Sequence, residues 1–145
     1  MSTIDLLKDH PQDLILVSAC LAGLRTRYDG RIIEHRDCLQ ALASCRWIPI
    51  CPEQLGGLAT PRCAADIIGG TGVDVLDGRA RVICRDGTDV TEPFISGARQ
   101  VLDIAQRQRI DKIFLKARSP SCGVHKQGVT AALLIRNGFS PVEFD

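Results

Sequence analysis

The sequence predicts an α/β fold of three layers, Rossmann-like, with a mainly parallel sheet flanked by helices and a small β-hairpin. Two observations carry that prediction. Short, continuous apolar runs at residues 14–19 (LILVSA), 47–50 (WIPI) and 112–117 (KIFLKA) suit strands covered on both faces. Segments of helical apolar spacing separate them, so the order strand, helix, strand, hairpin, helix, strand, helix, strand requires crossover connections and parallel pairing. A chain of 145 residues has the volume for one domain with a proper core.

Taken in order, residues 14–19 form the first strand and Cys20 follows it directly. The stretch LAGLRTRYDGRIIEH, with Gly23 and Asp29-Gly30, reads as a loop and tight turn whose Arg25 and Arg27 can hold an anion. From Arg36 to Arg46 the residues Cys38, Leu39, Leu42, Ala43 and Cys45 make one helical stripe, which assigns Cys38 and Cys45 to packing. The second strand leads into Cys51-Pro-Glu-Gln-Leu-Gly-Gly57, where Glu53, set between Pro52 and a Gly-Gly turn, is a general-base candidate. Thr60-Pro61 reads as a helix start, with Arg62 in the first turn, Cys63 and Asp66 as ordinary helix positions and Gly69-Gly70 as the stop. Residues 73–76 and 80–85 flank Asp77-Gly78, a hairpin signature that makes Cys84 a packing residue.

Thr91 is placed as the cap of a long helix reaching about Arg109, with Phe94, Ala98, Val101, Leu102 and Ala105 on its buried stripe. After the third strand, Pro120 and Gly123 break the chain into a loop that displays Cys122. Residues 128–137 (GVTAALLIRN) form a helix that is apolar nearly all round, closed by Gly138, and residues 141–144 add an edge strand.

The seven cysteines therefore divide into two groups. Cys20, Cys51 and Cys122 each follow a core strand, and ligands of open parallel sheets bind beyond the carboxyl ends of the strands. Cys38, Cys45, Cys63 and Cys84 fall on helix stripes or strand faces. An odd cysteine count leaves at least one thiol unpaired, and residues 1–13 lack a signal-peptide core, which points to a reducing, cytoplasmic setting. No apolar run is long enough to span a membrane, and a net charge of +1 disfavours long RNA as a partner. Three thiolates with one open position suit a 4Fe-4S cluster or a catalytic zinc, and soft, all-sulfur ligation with no neighbouring histidine favours the cluster. A hydrolase using one of these thiols as a nucleophile is the third chemistry open to them.

The blocks ILVSACLAG with RYDG, CPEQLGGLATPR, DVTEPFISGA, and LKARSPSCG followed by GVTAALL resemble the TudS-like thiouracil desulfidases, formerly a domain of unknown function. They span Leu14 to Glu143, and their joint order is specific. The resemblance implies one TudS-like desulfidase domain over residues 1–145, with a 4Fe-4S cluster on Cys20, Cys51 and Cys122. It implies removal of sulfur from a thiolated uracil, as free base, nucleoside or 4-thiouridine monophosphate, giving the uracil compound and hydrogen sulfide. In that chemistry Glu53 positions or deprotonates water, and Ser121 or Ser119 donates a hydrogen bond to the ring or the departing sulfur. A nucleotide phosphate would draw on Arg25, Arg27, Arg62, Lys116 and Lys126. The chain departs from the family pattern in having only Val124 to Gln127 between SPSCG and GVTAALL, which implies a shortened lid, and in carrying Cys63 and Asp66 where proline and glutamate are usual.

Overall fold

A computed structural model describes residues 13–145; the N-terminal segment read for a signal sequence lies, apart from Asp13, outside the described residues. Four parallel strands form the main sheet in the order β2-β1-β5-β6, with β1 at Leu14–Ser18, β2 at Arg46–Ile50, β5 at Lys112–Lys116 and β6 at Val142–Phe144. Ser18 pairs with Ile50 and Val17 with Phe114, so β1, β2 and β5 end level with one another. Alternate residues of a strand face opposite ways. Leu16, Ile113 and Leu115 accordingly pack on Val101, Ala105 and Leu134, whereas Ile15, Val17 and Phe114 pack on Cys38 and Leu42. Both faces are covered, which accounts for the continuous apolar strands and completes three layers.

Helix α1 (Arg36–Leu42) covers one face; α4 (Thr91–Arg107) and α5 (Val129–Arg136) cover the other. The short α2 (Pro52–Leu55) starts at Pro52, where a missing amide costs nothing, and lies against α4. The contact is so close that a Cβ on Gly97 would overlap the Pro52 carbonyl, and one on Gly56 the Pro93 carbonyl. A third apolar cluster, with Val75, Val82, Phe94 and Val129, joins a second, two-stranded sheet to α4 and α5.

That second sheet corrects two expectations. Thr60-Pro61 starts no helix: the peptide bond is cis, and the Thr60 hydroxyl accepts from Gln54 Nε2 (2.7 Å) and Arg62 Nη1 (2.8 Å) instead of capping backbone amides. The chain then enters strand β3 (Ala65–Ile68), alternately half-buried and exposed, so Cys63 and Asp66 occupy a loop and a strand. Residues 73–76, expected as a strand, lie within helix α3 (Gly72–Leu76), where the Asp74 carboxylate reaches back to the Thr71 amide at 2.8 Å. Asp77-Gly78 closes this helix, and β4 (Arg81–Cys84) pairs antiparallel with β3, setting Ala65 opposite Cys84.

Three further differences are local. Helix α1 ends at Leu42 and not Arg46, its first turn capped by His35 Nδ1 on the Cys38 amide (3.2 Å), and Cys45 is only half-buried at the core's edge. Thr91 begins α4 but does not cap it; its hydroxyl accepts from the Val82 amide (2.8 Å) and ties the helix to β4. The helix stops at Arg107, and Leu102 is half-buried where the stripe had it covered. No helix among the described residues is long and apolar enough to cross a membrane.

Candidate active site

Beyond the carboxyl ends of β1, β2 and β5 lies a cavity of about 400 Å³ lined by Cys20, Cys51 and Cys122. The topology makes this possible: the three strands that precede these cysteines are adjacent in the sheet, with β1 in the middle. Cys20 sits in a 3-10 turn at Ala19–Ala22, Cys51 stands at the N-cap of α2, and Cys122 follows β5 in its loop.

The Cys122 loop is pinned from several sides. Ser119 Oγ accepts from the amides of Ser121 and Cys122, each at 3.1 Å, and Gly123 donates to the Ser119 carbonyl at 3.0 Å. Thr130 and Ala131, in the first turn of α5, donate to the Ser121 carbonyl. Glu143 of β6 accepts from the Val124 amide at 2.9 Å. Gly128 lies so close that a Cβ there would stand 2.5 Å from the Ser121 carbonyl. Arg118, at φ 60, takes a left-handed conformation rare outside glycine, at the point where the strand turns into the loop.

Burial pushes all three thiols upward. For Cys122 the push is large and only partly offset by a hydrogen bond with Ser18. For Cys20, Cys51 adds to the effect of burial while Lys116 and Arg27 oppose it. For Cys51, burial is opposed by backbone amides and by Arg62, whose Nη2 lies 3.9 Å from the sulfur. Cys20 and Cys51 each raise Cys122 as well, as expected of thiols that share one small space.

Glu53 points into the same cavity from α2. One carboxylate oxygen accepts from Arg62 Nε and the other from Ser121 Oγ, both at 2.9 Å. Ser121 is buried and stands behind Glu53, whereas Ser119 lines the cavity itself. Because the Ser119 oxygen already accepts two amides, its own proton is left to donate outward.

The five basic candidates divide. Arg27, Arg62 and Lys116 line the cavity; Arg25, bonded to the Gly30 carbonyl, and the exposed Lys126 do not. Arg62 is drawn into the wall by Glu53, Thr60 and the Thr26 carbonyl, and Arg27 is paired with Asp29 at 2.9 Å. Tyr28, Arg85 and Arg118 line the cavity without having been singled out from the sequence, and Asp66, read there as an ordinary helix position, lines it too. The strand-end rule that selected Cys122 also covers Arg118, two residues past β5; Arg85 has no local signal, since it arrives through the β3–β4 pairing. Among the described residues no histidine lines the cavity, and His125 is an exposed loop residue beside Glu143.

The 2-thiouracil desulfurase family model matches residues 15–143. The uncharacterized protein YbbK of Bacillus subtilis (strain 168) is 40% identical, in a match that covers 87% of this chain and 92% of that protein. The solved structure of the 4Fe-4S-dependent thiouracil desulfidase TudS superposes with a TM-score of 0.70 at 34% identity, covering 91% of each chain.

Proposed function

Because this chain belongs to the 2-thiouracil desulfurase family, we propose that it removes sulfur from a thiolated uracil, with a 4Fe-4S cluster held by Cys20, Cys51 and Cys122. The observation that carries this function is the convergence of those three thiols, with Glu53, on one cavity at adjacent parallel strand ends. The donor set suits the cluster: three soft sulfurs and, among the described residues, no lining histidine and no fourth thiol on the cavity wall. When bound, such a cluster supplies a Lewis-acidic iron site without a protein ligand for the thiocarbonyl sulfur.

The chain's own residues then account for the remaining chemistry. The balanced reaction adds one water to the thiocarbonyl: a carbon–oxygen bond forms, the carbon–sulfur bond breaks, and both protons of the water leave as hydrogen sulfide. No electrons are gained or lost. Glu53 accepts the proton from the attacking water. Arg62 and Ser121 hold the two carboxylate oxygens and so fix its direction. Ser119 donates to the ring or to the sulfur as charge develops there. Free base, nucleoside and 4-thiouridine monophosphate all belong to the substrate class. Support for the phosphorylated form comes from Arg85 and Arg118 beside Lys116 on the lining. Burial raises each of the three thiols, opposite to the shift that a lone thiolate nucleophile requires.

The test is anaerobic reconstitution followed by iron and sulfide analysis and an assay of hydrogen sulfide release from thiouracil and 4-thiouridine monophosphate. Wild-type protein is expected to carry about four irons per chain and to release sulfide. Cys20→Ala, Cys51→Ala and Cys122→Ala should each lose the cluster. Glu53→Gln should keep it while losing on the order of 10²–10⁴-fold in kcat. A colourless zinc protein, or a cluster that survives loss of any one of the three cysteines, overturns the assignment.

A further inference from the structure

Two cysteines outside the cavity come together with a carboxylate. Cys63, Cys84 and Asp86 each offer a ligand atom, and these three atoms lie within 4.8 Å of one another. Cys63 had been assigned to a helix and Cys84 to packing on a strand face; the fold moves Cys63 into a loop and keeps Cys84 on its strand, half-buried against the Val75 cluster. Cys63 is exposed in the loop before β3, and Cys84, half-buried, ends β4.

The backbone around them is fixed by the β3–β4 ladder. Ala65 pairs with Cys84, and the Arg85 amide donates to the Ala64 carbonyl at 2.9 Å, which holds the Cys63 loop against the end of β4. Cys84 to Gly87 form a tight turn, with the Gly87 amide on the Cys84 carbonyl at 2.9 Å and Gly87 at φ 89. Asp86 is pinned in that turn because its Oδ1 accepts from the Thr88 amide at 2.9 Å. The Cys84 thiol lies 3.9 Å from the Cys63 carbonyl.

We propose that Cys63, Cys84 and Asp86 bind a thiophilic divalent cation, Zn²⁺ being the best fit, with water in the fourth position. Two sulfurs and one oxygen form a soft-to-borderline set that selects zinc over magnesium or calcium. Tetrahedral zinc, with bonds of about 2.3 Å to sulfur and about 2.0–2.2 Å to oxygen, sets its ligand atoms roughly 3.5–3.8 Å apart. Contraction by about 1 Å, within the reach of side-chain rotation at an exposed loop cysteine, closes the site. Binding displaces the two thiol protons, so the complex carries two thiolates and one carboxylate around the dication. The ion would staple the Cys63 loop to the turn after β4. Ala64, Ala65 and Arg85, which belong to these same segments, line the main cavity, so the staple would stiffen one of its walls.

The experiment uses the full chain with its cluster reconstituted anaerobically, equilibrated with Zn²⁺ and freed of loose metal by a weak chelator. Zinc, iron and sulfide are counted, and zinc X-ray absorption reads the ligands. Wild-type protein should retain one zinc with two sulfur neighbours. Cys63→Ser and Cys84→Ser should lose it at unchanged iron content, and Asp86→Asn should bind at least about tenfold more weakly. The idea fails if wild type retains no zinc, if Cys63→Ser or Asp86→Asn binds as tightly as wild type, or if the anaerobic protein holds a Cys63–Cys84 disulfide. It fails too if zinc is lost only with Cys20, Cys51 or Cys122. Iron content and sulfide release report on the desulfidase site independently.

Discussion

Arg62 commits its whole guanidinium to the protein: Nε to Glu53, Nη1 to Thr60 and the Ala59 carbonyl, Nη2 to the Thr26 carbonyl. Its side chain is only 9% exposed and that of Glu53 15%, so the pair is held in a poorly solvated wall. A lysine carries its donors on one nitrogen and cannot reach partners spread across the three nitrogens of the guanidinium. Arg62→Lys is therefore expected to release Glu53 from its aim and lower kcat on the order of 10²-fold while leaving KM near its wild-type value. Steady-state release of hydrogen sulfide measures this. An unchanged kcat would mean that Glu53 is placed by Ser121 alone. The sequence placed Arg62 in a first helical turn and, through the resemblance, among the candidates for a nucleotide phosphate; in the fold it pairs with Glu53, brought in by a turn that the local pattern did not reveal.

At the scale of elements, the packing of α2 on α4 decides where Cys51 and Glu53 stand. Gly97 faces Pro52 and Gly56 faces Pro93 with no room for a methyl group between the backbones. Gly97→Ala is expected to push α2 outward, costing about 1–3 kcal/mol of stability and reducing the iron retained after reconstitution. Denaturant unfolding and iron analysis check the two effects, and an alanine variant with wild-type stability would show that the helices have slack. The core strands and their terminal cysteines were legible because continuous apolar runs bounded by turn formers have few other solutions. Strand β3 was hidden by Thr60-Pro61, whose residues match a helix start while the threonine hydroxyl serves Gln54 and Arg62. Helix α3 was hidden by Val73 and Val75, which alternate as in a strand although Asp74 closes a helical turn. The parallel order that makes three cysteines neighbours is a long-range property, and no local pattern encodes it.

The molecule as a whole depends on how its small sheet is fastened to the large one. Asp89 is the fastening residue: Oδ1 accepts from the Thr91 amide and Oδ2 from Arg81 Nε, both at 2.9 Å. The Thr91 hydroxyl first, and Arg81 next, hold its carboxyl down to about 2. An unfolded chain would titrate near about 3.9. Asp89 therefore stabilises the fold fully above that value, and its contribution is lost as pH falls through about 2. Unfolding free energies of wild type and Asp89→Asn should differ by a constant amount at neutral pH and converge as the solution is acidified; a gap that persists to pH about 2 would rule out this linkage. The strand β6, whose Glu143 holds the Cys122 loop and whose Phe144 carbonyl accepts from Ala117, has a consequence for biosynthesis. Cys20 and Cys51 leave the ribosome long before β5, and Glu143 leaves it after Cys122. A nascent chain thus displays two thiols with neither the third nor the strand that steadies it, and the cavity first exists once β6 has emerged.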